Sequence, residues 1–208
     1  MKKSLQRASL VLVLAGSTLG LSACFPLLLG GAVTSVMVAS DRRTSGTVVE
    51  DEGIELKANA RIRENIGERV HINITSYNRQ VLITGEVPSA QDKQLVEKVV
   101  TSVENVRNIV NEAAVMGNST FTQRSSDSLV TGRVKAGLID AQDLFANAFK
   151  VVTEHGTTYI MGRVTQREAD RATAVIRGTD GVQRLVRVLE IVSEEELARI
   201  QPQPAPAK

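Results

Sequence analysis

Behind Asp51, apolar residues recur every fourth position at Ile54, Ala58 and Ile62. That period predicts an amphipathic helix, with Asp51 placed to cap its free N–H groups. The period then falls to two in His71 to Ser76 and Gln80 to Val87, which read as strands, and Asn78 lies in the turn of the hairpin between them. A second helix begins near Ser89 and carries Leu95, Val96, Val99 and Val103 on one side. A last strand runs near Arg107 to Val115.

The same pattern then returns about 76 residues later, a domain-sized period rather than that of a solenoid unit. Asp51, Ile54, Ala58 and Ile62 recur as Asp127, Val130, Val134 and Leu138, while Val81 to Val87 recurs as Thr158 to Val164. The second hairpin joins Asn147 to Thr153 with Thr157 to Val164 through His155-Gly156. A helix near Gln166 carries Ala169, Ala172, Val175 and Ile176, and a strand near Gln183 to Val192 closes the copy. The fold class is α+β: two tandem domains, 47–116 and 124–192, each ordered αββαβ. Each is expected to be a three-stranded sheet with two helices on one face.

The N-terminus has a different organisation. Lys2, Lys3 and Arg7 precede the apolar run Leu10 to Leu14, and small residues lead to Leu21-Ser22-Ala23-Cys24. This is the layout of a secretory signal peptide over 1–23, with an apolar core too short to span a bilayer. The Leu-Ser-Ala-Cys stretch resembles the bacterial lipobox, which implies that Cys24 becomes the first mature residue and carries acyl chains. Cys24 is the single cysteine, so it has no disulfide partner within the chain. Several acyl chains anchor stably where one holds marginally. The resemblance further implies outer-membrane retention, because Phe25 stands where an Asp would favour the inner membrane. Residues 24–46 form a linker. Its apolar part, Phe25 to Ala39, either lies on the bilayer or packs on the first domain, and Asp41 to Thr47 reads as a tether. Past Val192, Ser193 to Glu196 can start a short helix, and Pro-rich Gln201 to Lys208 reads as disordered.

The element order, the glycine late in the second strand (Gly85, Gly162) and the Asn-Val or Gly-Val before the third (Asn105-Val106, Gly181-Val182) resemble the BON domain. Two such copies behind a lipobox are similar to dual-BON outer-membrane lipoproteins. The resemblance implies a periplasm-facing protein that binds anionic phospholipid, phosphatidylglycerol above all, through its second copy. It also implies support of envelope integrity and a place at division sites.

The chemistry-bearing residues are sparse. The two histidines, His71 and His155, lie in a strand and a turn with no motif partner, and no nucleophile elbow, phosphate loop or zinc motif occurs. We therefore expect no enzyme, cofactor or metal. A net charge of +2 and an aromatic content of 3% with no Trp argue against nucleic acid as a partner.

Charge separates the two copies. Residues 47–116 hold 8 basic and 11 acidic side chains, a net of −3, whereas 124–192 hold 10 and 8, a net of +2. Around the first helix of copy two, Leu129, Gly132, Ala136 and Ile139 fall outside the Val130-Val134-Leu138 stripe, with Arg133 and Lys135 at their flanks. This greasy, basic-edged ridge suits an anionic interface, and with Ser125 and Ser128 it forms the expected phospholipid-binding site. In copy one the matching positions are Gly53, Leu56, Ala60 and Arg63, flanked by Lys57 and Asn59. Two alternatives stay open: the ridge packs against copy one, or the protein is an adaptor or scaffold for envelope protein partners.

Overall fold

Two threonines set where the domains begin. In the computed structural model, which describes residues 41–200, Thr44 caps helix α1 (Ser45–Asn65) by accepting from the Thr47 N–H. Thr120 caps helix α3 (Phe121–Asp140) in a reciprocal box with Gln123. Both helices therefore start well before the expected Asp51 and Asp127. Those aspartates are not caps but buried positions inside the helices. They aim across at the hairpins. Asp51 accepts from the Ser76 hydroxyl and from the backbone N–H groups of Asn78 and Arg79, at 2.6–2.8 Å. Asp127 accepts from the His155 and Gly156 N–H groups at 2.8 and 2.9 Å. Each aspartate satisfies donors that a tight turn leaves unpaired inside the protein.

The hairpins explain the turn residues. Strands β1 (His71–Tyr77) and β2 (Gln80–Val87) pair antiparallel through Asn78 and Arg79, both at positive φ. Strands β5 (Phe149–Glu154) and β6 (Thr157–Val164) do so through His155 and Gly156, again both at positive φ. This is the mirror-image turn that suits strand twist. Gly85 and Gly162 sit where a neighbouring chain crosses: a Cβ would lie 2.1 Å from the His71 carbonyl oxygen and 2.5 Å from that of Ala148.

Each sheet is completed by a parallel strand after a second helix. In the first domain this is helix α2 (Ala90–Thr101), capped by Ser89, followed by β3 (Asn108–Asn111) and β4 (Ala114–Val115), both paired to β2. The single expected strand is thus broken at residues 112–113, where Ala113 turns into the core. In the second domain, helix α4 (Gln166–Arg177), capped by Thr165, leads to the unbroken β7 (Arg184–Ile191). Helix α5 (Glu194–Ile200) follows.

Each domain packs its helix pair on one sheet face over an aliphatic core: Ile54, Ile83 and Val96 in the first, Val134, Ile160 and Ile176 in the second. The opposite sheet faces meet each other. Tyr77 and Leu82 from the first domain pack with Tyr159, Met161 and Val188 from the second in a third apolar cluster. Polar pairs border it: Asn73 with Glu154, Asn78 with Glu190, Lys150 with Glu55, and His155 Nε2 at 2.5 Å from Glu86 Oε1. The domains join sheet to sheet, which leaves both helix layers outermost. The alternative in which the copy-two ridge packs on copy one does not occur: Leu129 and Ile139 stay exposed.

The segment expected to be a tether is also fixed. Arg42, 4% exposed, donates twice to the Glu168 carboxylate at 2.7 and 2.8 Å and once to the Arg163 carbonyl. Arg43 binds Asp41 and Asp51, and its guanidinium lies 4.3 Å from the Tyr77 ring centroid. Successive arginines thus bind opposite domains. The leader, Cys24, Phe25 to Ala39 and the Pro-rich tail lie outside the described residues.

Candidate functional site: the outer face of helix α3

Helix α3 buries Asp127, Val130, Val134 and Leu138. At about 100° per residue the side facing away from that stripe holds Ser125, Ser128, Gly132, Ala136 and Ile139, with Leu129 beside them. All are exposed except half-buried Ser125, and Leu129 and Ile139 are 64% and 68% exposed. Arg133 and Lys135 are exposed as well and sit at opposite edges of the face. The eight expected residues therefore share one solvent-facing surface. Arg133 also donates to the Asp180 carbonyl, which turns its guanidinium toward the loop after α4.

One member was missed. Phe121, at the first position of α3, is 86% exposed and falls on the same side as Ile139, about five turns away. It lengthens the apolar ridge to about 27 Å. A helix read as opening at Asp127 leaves Phe121 outside it; the signal that would have found it is Thr120 followed three residues on by Gln123.

The two histidines belong to the domain junction. His155 occupies its turn as expected, but its ring crosses to the fully buried carboxylate of Glu86, whose other oxygen accepts from the Ser119 N–H. Burial and the nearby Arg124 charge hold His71 below its ordinary value. Burial raises the Glu154 carboxyl, opposed by the hydrogen bond from Asn73. Among the described residues no group of His, Cys, Asp or Glu could hold a metal ion, and no helix is long and apolar enough to cross a membrane.

Residues 50–117 and 126–193 each match the family model for the BON domain. The chain belongs to the BON-domain family. It is 32% identical over 180 residues to the outer membrane lipoprotein DolP of Haemophilus influenzae, covering 86% of this chain and 93% of that relative. It is 29% identical to the 21 kDa hemolysin of Actinobacillus pleuropneumoniae, over 73% of this chain and 79% of the relative. The osmotically-inducible protein Y of Escherichia coli is 25% identical over 70% of this chain and 74% of its own length. The BON-family chain is accordingly a DolP-like protein with two BON domains, a lipoprotein of the outer membrane.

Proposed function

We propose that this protein is held at the outer membrane by acyl chains on Cys24, faces the periplasm, and binds anionic phospholipid through the outer face of α3. The observation that carries this reading is the exposure of Phe121, Leu129 and Ile139 along one smooth Gly/Ala-containing face with cations at its edges. Fully burying one such side chain contributes about 1.5–3 kcal/mol. A well-placed Lys or Arg near an anionic surface adds about 1 kcal/mol. The apolar contacts therefore supply most of the affinity, and the basic edges supply the preference for anionic lipid. Support of envelope integrity at division sites would follow from placing the domain pair on particular lipid regions.

The test is titration of the isotopically labelled fragment 39–208, a single compact unit, with phosphatidylglycerol micelles. Backbone NMR shifts are expected to cluster on residues 121–139; shifts centred elsewhere contradict the assignment. A second reading, an adaptor for envelope proteins, draws on Val49 and Leu56, both exposed on the outer face of α1. It predicts that Leu56→Asp abolishes capture of a protein partner while lipid binding stays constant.

A further inference from the structure

A cleft of about 360 Å³ opens between the end of α1 and the start of α3, where the two domains meet. Its walls include Asn59, Arg63 and His71 from the first domain, Asn118 from the segment joining the domains and Arg124 from the second, with Glu68 as the acidic member of the lining. Among the described residues neither Arg63 nor Arg124 is paired with a carboxylate. Arg124 is nonetheless held in place: its Nε donates to the Ser119 hydroxyl at 3.0 Å and its Nη2 to the Ser119 carbonyl at 2.9 Å. A guanidinium braced by neutral acceptors keeps its full charge and part of its donor fork for a ligand. Arg124 and His71 both line the cleft, and the Arg124 charge bears on the imidazole.

We propose that this cleft is a binding site for a phosphate ester, gripped from both domains by Arg63 and Arg124. Arginine forks match phosphate oxygens two at a time, and the amides of Asn59 and Asn118 supply further polar groups. The site deepens the reading of α3 as a lipid-binding helix. Arg124 lies one turn from Phe121 and Ser128, so a headgroup phosphate in the cleft would leave its acyl chains beside the start of the ridge. The same chemistry would also take a soluble phosphate ester.

The experiment separates these sources and keeps the cleft distinct from the ridge. Labelled 39–208 is titrated first with glycerol 3-phosphate and then with phosphatidylglycerol micelles, and the double variant Arg63→Gln/Arg124→Gln is titrated in parallel. Both arginines reach the surface, and their loss is expected to leave the spectrum of the free protein folded. Saturable shifts at Arg63, His71, Asn118 and Arg124 with both probes, weakened at least tenfold in the double variant, show a site that accepts lipid headgroups. Such shifts with glycerol 3-phosphate alone assign the site to a soluble ester. Absence of saturable shifts at those residues with either probe overturns the proposal, even where residues 125–139 respond to micelles. Conversely, if micelles leave 121–139 unmoved while glycerol 3-phosphate shifts the cleft, the ridge reading fails and the cleft stands.

Discussion

Helices α1 and α3 occupy the same place in duplicated domains and bury matching stripes, yet their outer faces differ in charge and shape. On α1, exposed Val49 and Leu56 share the outer face with Gly53, Ala60 and Arg63. Glu52, Lys57, Asn59 and Glu64 lie around it, and the helix holds five acidic and three basic residues. On α3, Leu129 and Ile139 stand where α1 has Gly53 and Arg63, and the helix holds three basic and two acidic residues. Of the two acids, Asp127 is buried against the hairpin and Asp140 is exposed where α1 has Glu64. Apolar exposure is therefore common to both copies. What distinguishes α3 is that its exposed apolar side chains span the helix and that its rim is net positive, and in the proposed function the sign of the rim sets which ridge meets acidic headgroups.

Sheet-to-sheet packing keeps both ridges outermost, and the largest predicted effect tests what supports that arrangement. Arg42→Ala removes the two guanidinium bonds, though not those from Thr165, to the Glu168 carboxylate buried in the second domain. Stranding one member of a buried pair costs about 3–5 kcal/mol. Urea unfolding should show a marked fall in midpoint, whereas truncating the exposed Arg63 should leave the midpoint unchanged. The same pair predicts a pH dependence. Burial alone would raise the Glu168 carboxyl, but the bonds from Arg42 and Thr165 hold it below its ordinary value of 4.5. A depressed carboxylate contributes stability that is present above that value and is lost as the pH falls through the folded one. Glu168→Gln should flatten this acid limb of the stability curve.

The ridge comparison itself is sharpened by Leu129→Asp, which removes one apolar contact of about 1.5–3 kcal/mol and places a like charge against the lipid. Sedimentation with phosphatidylglycerol vesicles should weaken at least tenfold, while Leu56→Asp on α1 should change it less than twofold. Equal losses would erase the distinction between the copies. Smaller effects are expected at the rim. Arg133→Gln and Lys135→Gln should each cost about 1 kcal/mol, a several-fold loss at low salt that shrinks as ionic strength rises. Introducing Glu52→Lys, Glu64→Lys and Arg63→Ile into α1 should make the first domain sediment with the same vesicles in the Leu129→Asp background.

Much of this architecture was legible because a duplicated pattern is read twice. The αββαβ order, the hairpin turns and the outward position of Leu129, Gly132, Ala136 and Ile139 follow from periodicity alone. The helix starts were not, because the residues between Thr44 and Asp51, and between Thr120 and Asp127, show no apolar stripe. Their caps rather than their pattern define them. The role of the aspartates was hidden for a related reason, since the hairpins they clamp lie 25 or more residues away. The domain junction left a trace in the run Val81-Leu82-Ile83, apolar on both sheet faces, which signals a doubly covered strand. The pairing of that second face with Tyr159 and Met161 depends on three-dimensional register that no single repeat encodes. Phe121 escaped because it precedes the expected helix start at Asp127, and the cleft because its walls come from segments as far apart as Asn59 and Arg124.

The chain contains no Trp, so one introduced indole reports its own surroundings without background. Leu129→Trp and Leu56→Trp, compared in phosphatidylglycerol vesicles, test the central claim most directly. Docking of α3 on anionic lipid predicts a blue-shifted, quencher-protected emission at position 129 and an unshifted, fully quenchable emission at position 56. An unshifted spectrum at 129, or the same shift at both positions, would contradict it.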